Sequence, residues 1–193
     1  MRKASLVVST AVSALCAAAF NLAPASAAPS DTNRTVDILG SESFSVDEFF
    51  KVTYRFEQRR IAVHQGATVT WNNKTTDGHT MSVVSPADLP KTIDQVNNCA
   101  ICNQLSAAHF PNGFPPQGIP AVFLDDFKPA ALPAKLDSVG DSLLVAPPGL
   151  GFPTSVSAQI TAPVGTTLNY ICAFHPWMQA SIRVLADDDT ADR

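Results

Sequence analysis

The chain has 193 residues, with 13 basic against 17 acidic side chains and a formal charge of −4. Charged residues make up 16% and apolar ones 46%, so a core of useful size can be buried by one domain. The acidic balance excludes a nucleic-acid binder, which needs a basic patch to neutralise phosphates.

Arg2 and Lys3 precede an uncharged apolar stretch from Ala4 to Leu22 and a small-residue site, Ala25-Ser26-Ala27. This is the layout of a secretory signal peptide over residues 1–27. Ser5, Ser9, Thr10 and Ser13 interrupt the run and argue against a membrane anchor, and Leu15 before Cys16 is unsuited to a lipoprotein site. Cleavage after Ala27 leaves a single domain, 28–193, with 11 basic and 17 acidic residues and no membrane span. Its expected place is periplasmic or secreted, where disulfides are permitted. Three cysteines remain, Cys99, Cys102 and Cys172, so one of them is unpaired or otherwise engaged.

Residues 28–47 read as a polar, loose start. From Phe49 the pattern is strand-like: Val52, Tyr54 and Phe56 alternate with Thr53 and Arg55, and Ile61 alternates with Val63. Gln65-Gly66 turns the chain, Ala67 to Trp71 is β-prone, Asn72 to Gly78 is a polar loop, and Thr80 to Val84 resumes as a strand. Between Pro86 and Pro148 lie ten of the 15 prolines. This stretch, at about 86–150, reads as an insertion rather than a second domain, since so proline-rich a segment would bury little core alone. Within it Lys91 to His109 is expected as one helix, 111–120 as irregular chain, and Val122 to Phe127 as a short helical turn. Strand signals return at Ser155–Ile160, Thr167–Cys172 and Ser181–Leu185, before an acidic tail from Asp187. Short strands on both sides of an insertion imply an all-β sandwich. No GxGxxG or Walker-type loop supports nucleotide binding.

The chemistry concentrates in Cys172-Ala173-Phe174-His175-Pro176-Trp177-Met178. Thiolate, imidazole and thioether stand three residues apart on one tight loop and can turn to a single point, which suits a soft or borderline metal, copper above all. A second imidazole would complete a His₂Cys plane with the methionine as weak axial ligand. His79, after a polar loop and at the start of a strand, is the best candidate. His64, mid-way through a strand and turn, and His109, inside the insertion, compete with it.

These segments resemble the cupredoxins, the small blue copper proteins, most closely amicyanin and its plastocyanin and pseudoazurin relatives. Gly66-Ala67-Thr68-Val69-Thr70-Trp71-Asn72-Asn73 leading to His79, Gly165-Thr166-Thr167-Leu168-Asn169-Tyr170-Ile171-Cys172, and the loop to Met178 carry the likeness, which covers roughly residues 50–84 and 152–186. Departures are Gly78 and Thr80 where the family has proline and asparagine, Gln179-Ala180-Ser181 in place of a glycine, and 93 positions between His79 and Cys172. The resemblance implies a cupredoxin-like Greek-key β-sandwich with a long, Pro-rich, partly helical insertion, and one type 1 copper on His79, Cys172, His175 and Met178. It implies that the Phe174 N–H donates to the Cys172 sulfur and that Thr80 bonds across to the second ligand loop. His175 would sit at the surface edge and pass the electron, with Phe174, Pro176 and Trp177 as an apolar collar for transient docking of redox partner proteins. For Phe174 and Trp177, plain core packing is the equal alternative.

Cys99-Ala100-Ile101-Cys102 could be a local disulfide, half of a metal site, or two free thiols; the cysteine count favours the disulfide, which leaves Cys172 for copper. The expected function is single-electron transfer by an extracytoplasmic, monomeric blue copper protein. The alternative is a copper-binding protein for storage, delivery or sensing. A copper enzyme fails on histidine arithmetic: of four histidines only His64 and His109 would remain for a second centre.

Overall fold

The computed structural model describes residues 33–111, 121–123, 128–129 and 134–186. The expected signal peptide, the irregular run at 112–120 and the acidic tail lie outside them. Among the described residues seventeen short elements follow one another, nearly all strands.

The first sheet holds β10 (Ala134–Leu136), β12 (Ser155–Ile160), β6 (Thr68–Asn73), β1 (Arg34–Leu39) and β4 (Arg55–Phe56), in that spatial order. The second runs β5 (Arg60–His64), β14 (Gln179–Leu185), β13 (Thr167–Ile171), β7 (His79–Val84), β11 (Ser142–Val145), β8 (Ala121–Phe123) and β9 (Lys128–Pro129). Between the sheets lies one core in which Trp71 and Tyr170 meet edge-on, the indole N–H donating to the phenol oxygen at 3.4 Å. Alternation puts Val36, Ile38, Val69 and Trp71 inward from the first sheet and Met81, Val83, Leu143 and Val145 inward from the second. The all-β sandwich is thus realised.

Several elements depart from the sequence expectation. The loose start contains β1, whose Val36 and Ile38 are fully buried and which pairs in parallel with β6. The alternation was present there, hidden among polar neighbours. A hairpin follows, β2 (Glu42–Ser45) and β3 (Phe49–Val52), which stands apart from both sheets and exposes Phe44, Phe49 and Phe50. Gly40, at φ +126°, turns the chain into it; a Cβ there would meet the Thr53 backbone.

The proline-rich stretch is more than an excursion, because it supplies strands to both sheets: β10 to the first, β11, β8 and β9 to the second. Residues 121–123 form a strand where a helical turn was expected. The expected single helix is two, α1 (Ile93–Asn97) and α2 (Ala100–His109). Asn98 ends the first by bonding back to Asp94, and Cys99 caps the second. A disulfide joins Cys99 to Cys102 across the first turn of α2, as the cysteine count favoured.

α2 determines the environment of β7. Cys99, Cys102 and Leu105 pack with Val84, Ile171 and Ala173 on the outer face of the second sheet. All six residues of β7 are therefore buried, with no polar-out alternation.

Candidate metal centre

β13 ends at Ile171 and Gln179 opens β14, so the seven residues Cys172–Met178 must reverse the chain between paired strands. Backbone bonds close this loop: Cys172 N–H to Met178 O at 3.0 Å, His175 N–H to Cys172 O at 3.2 Å, and Met178 N–H to His175 O at 2.8 Å. Gln179, at the position of the missing glycine, ties it to the insertion by donating to Pro90 O at 2.6 Å and Pro176 O at 3.1 Å. His79 starts the neighbouring strand β7, on the face that carries Met81 and Val83 into the core.

The three side chains converge. Cys172 Sγ lies 3.8 Å from His79 Nδ1 and 3.6 Å from His175 Nδ1, and all three ligand atoms lie within 4.8 Å of one another. Each is buried. A divalent first-row ion at about 2.0 Å from nitrogen and about 2.3 Å from sulfur, with ligands near 120° apart, requires an N···S separation of about 3.7 Å. The observed spacings match that requirement. Met178 is buried in the same core cluster as Cys172, at the other end of the loop. His64 and His109 lie outside the group, His64 half-buried in β5 and His109 buried in α2. Among the described residues, no other cluster of this kind occurs.

Both imidazoles are held by their far nitrogens. His79 Nε2 lies 2.7 Å from Thr75 Oγ1, and the Thr75 hydroxyl donates to Asn73 Oδ1 at 2.8 Å. With its one proton so used, Thr75 accepts from His79 Nε2–H, which leaves Nδ1 as a lone pair facing the sulfur. His175 Nε2 lies 3.3 Å from Asp77 Oδ2, and this again frees Nδ1 for the centre. Tyr54 stands edge-on to both rings, its centroid 5.0 Å from each. Sequence reasoning missed Thr75, Asp77 and Tyr54 as parts of the site. The polar loop at 72–78 was visible, but its aim at the imidazoles was not. Tyr54 carried no signal beyond that of a strand residue.

The electrostatics are those of a desolvated donor set. Burial, aided by repulsion from His175, holds the His79 imidazole down at about 3, so the ring is neutral at pH 7 and free to ligate. Burial also lowers His175, opposed by the carboxylates of Asp77 and Glu42. The Cys172 thiol is pushed up to about 11 by burial, despite hydrogen bonds from the Thr80, His175 and Phe174 backbones and the Thr80 side chain. A sulfur that collects so many donors is arranged to carry negative charge, and burial makes that charge costly unless a cation sits beside it. The donor set and its surroundings therefore fit a thiophilic metal ion.

One expectation around the ligand loop is met: Thr80 spans the two ligand segments, its N–H donating to Cys172 Sγ at 3.3 Å and its Oγ1 accepting from Ala173 N–H at 2.7 Å. One is corrected: His175 is only 8% exposed, covered by Trp177 at 5.1 Å between ring centroids, Tyr54 and Asp77. The expected collar divides. Trp177 is exposed, Pro176 is buried, and Phe174 packs on the core and against Phe110.

No family model matches the chain, and no curated protein does. Solved structures do. An auracyanin from the photosynthetic bacterium Roseiflexus castenholzii is 16% identical, with 81% of this chain and 99% of that one covered and a TM-score of 0.42. Auracyanin A, a "blue" copper protein from the green thermophilic photosynthetic bacterium Chloroflexus aurantiacus, is 22% identical, with 79% and 98% covered and a TM-score of 0.37. A reduced Cu(I) form of an amicyanin variant is 17% identical, with 80% and 83% covered and a TM-score of 0.33. The convergence of His79, Cys172 and His175 is a property of this chain's own side chains.

Proposed function

We propose that this protein is a blue copper electron carrier in which His79 Nδ1, Cys172 Sγ and His175 Nδ1 would hold one type 1 copper ion, with the Met178 thioether as a weaker fourth donor. The observation that carries the reading is the buried N···S···N trio with both imidazoles fixed by their far nitrogens. A copper ion held there would supply one-electron Cu(I)/Cu(II) chemistry, with the Cys172 thiolate and Met178 thioether favouring the reduced state and the His79 and His175 imidazoles serving both. The protein's own part is to keep the donors in one arrangement. Thr75 and Asp77 fix the rings, Thr80 locks the two ligand segments together, and Tyr54 excludes water from the space between the imidazoles. Such fixed donors need little rearrangement when an electron arrives or leaves.

The electron's exit is at His175, and Trp177, 44% exposed and edge-on to that ring, is the apolar contact for a transient partner. One-electron carriage, not catalysis, is the activity of such a centre. No helix of the described residues is long and apolar enough to cross a membrane, and the basic start, apolar run and Ala25-Ser26-Ala27 site support export to the periplasm or beyond.

Storage or delivery is the competing reading, and complete burial of His79 and Cys172 speaks against ready hand-over. Voltammetry of the copper-loaded protein in the presence of a Cu(I) chelator separates them. A carrier gives a reversible one-electron wave that persists. Loss of the wave as the chelator extracts Cu(I) contradicts the carrier reading.

A further inference from the structure

Beneath α2, on the outer face of the second sheet, is a row of buried polar side chains that metal binding does not itself require. Ser82 in β7 and Ser142 in β11 are directly opposite across the strands, and Thr80 is two residues along on the same face. His109, the last residue of α2, reaches down to this row. Thr80, Ser82, Ser142 and His109 are each at most 1% exposed. The spacings are short: His109 Nε2 to Ser142 Oγ 2.7 Å, Ser142 Oγ to Ser82 Oγ 2.6 Å, and Ser82 Oγ to Thr80 Oγ1 2.9 Å.

Proton counting gives this row one direction. A hydroxyl has one hydrogen and two lone pairs. Thr80 Oγ1 accepts from the Ala173 N–H and from the Ser82 hydroxyl, so both lone pairs are used. Ser82 spends its hydrogen on Thr80, so the 2.6 Å contact to Ser142 is filled by the Ser142 hydrogen. Ser142 then has no hydrogen for His109, and the 2.7 Å contact requires His109 Nε2 to be the donor. The opposite tautomer would leave two lone pairs facing each other in a buried site, which is costly.

We propose that His109 is a positioning residue: its Nε2–H starts a one-way chain of hydrogen bonds through Ser142 and Ser82 to Thr80, which holds Thr80 where its backbone N–H donates to the Cys172 sulfur, and so tunes the electron-donating power of that sulfur from the inserted helix. Loosening the chain frees Thr80 and weakens that N–H bond to the sulfur. Each donor aimed at the thiolate withdraws charge from it and favours the reduced ion, so weakening the chain stabilises the oxidised one. The effect on the ion rests on Cys172 being its thiolate ligand; the direction of the chain does not.

The two parts are tested separately. In the metal-free full-length protein, long-range ¹H–¹⁵N correlation of the His109 ring should show Nε2 protonated. A bare Nε2 with protonated Nδ1 overturns the proposal, whatever the metal does. In copper-loaded protein, H109Q keeps an amide donor for Ser142, whereas H109M fills similar space and donates nothing. H109Q should retain the wild-type potential and sulfur-to-copper charge-transfer energy. H109M should shift the Cu(II)/Cu(I) ratio in a fixed redox buffer toward Cu(II) by roughly threefold to tenfold, less than the 10–100-fold usual for a group bonded directly to a ligand. Identical potentials for wild type, H109Q and H109M overturn it. If H109M does not fold, the ring measurement on the wild type still decides. Absence of any sulfur charge-transfer band in the wild type defeats the copper assignment instead, with the ring tautomer unaffected.

Discussion

The two faces of β7 share a strand and differ in what makes them buried. Inward, His79, Met81 and Val83 join the core between the sheets, as any sandwich strand would. Outward, Thr80, Ser82 and Val84 would meet water if the second sheet were bare; α2 covers that face instead. The inner face places a ligand. The outer face is polar and dry, and its hydroxyls run to Thr80, whose backbone N–H donates to the same sulfur from behind. An insertion far from the ligands in sequence thereby becomes part of their surroundings.

The sharpest break in this comparison is on the inner face. H79L removes one of the two imidazoles and should abolish tight copper binding, while the metal-free protein still folds, because a desolvated ring is exchanged for an apolar side chain. Circular dichroism and a copper titration check both halves. Next, L105A empties a fully buried site between α2 and the sheet and should cost about 2–5 kcal/mol in urea unfolding, the usual range for such truncations. It tests whether the outer face depends on α2 for its cover.

The pH dependence is somewhat smaller. With Cys172 held at about 11 and His79 at about 3, the metal-free site at pH 7–9 carries a thiol and neutral imidazoles. Uptake of Cu(II) then releases one proton, and affinity should rise about tenfold per pH unit across that window. Isothermal titration in buffers of different ionisation enthalpy counts the proton. In the metal-free protein the depressed His79 also makes stability fall as pH drops from 6.5 toward 3, since the unfolded chain binds that proton first. Smallest is C99S/C102S. Opening so short a loop should cost about 2 kcal/mol, seen as a lower Tm, and leave the visible spectrum in place.

How far this was legible in the sequence follows from how local each feature is. Cys172, His175 and Met178 share one loop, so their spacing alone declared a metal-binding set, and His79 followed because that set lacked an imidazole. The inner-face strands were legible through alternation. β11 was not: Ser142-Leu143-Leu144-Val145 is buried on both faces and has no period to read. Its role depends on α2 lying above it, a tertiary fact. The break between α1 and α2 turns on one asparagine bonding back to Asp94 and on a disulfide, neither of which changes the apolar pattern. Asp77, Thr75 and Tyr54 looked like ordinary loop and strand residues until the fold brought them to the imidazoles.

The central claim is that Cys172 is the thiolate of a copper site completed by His79 and His175. The visible and electron paramagnetic resonance spectra of the Cu(II)-loaded protein, beside those of C172S, test it most directly. The account predicts an intense blue band and a narrow copper hyperfine splitting, both lost in C172S. A colourless Cu(II) complex, or a blue band that survives in C172S, would contradict it.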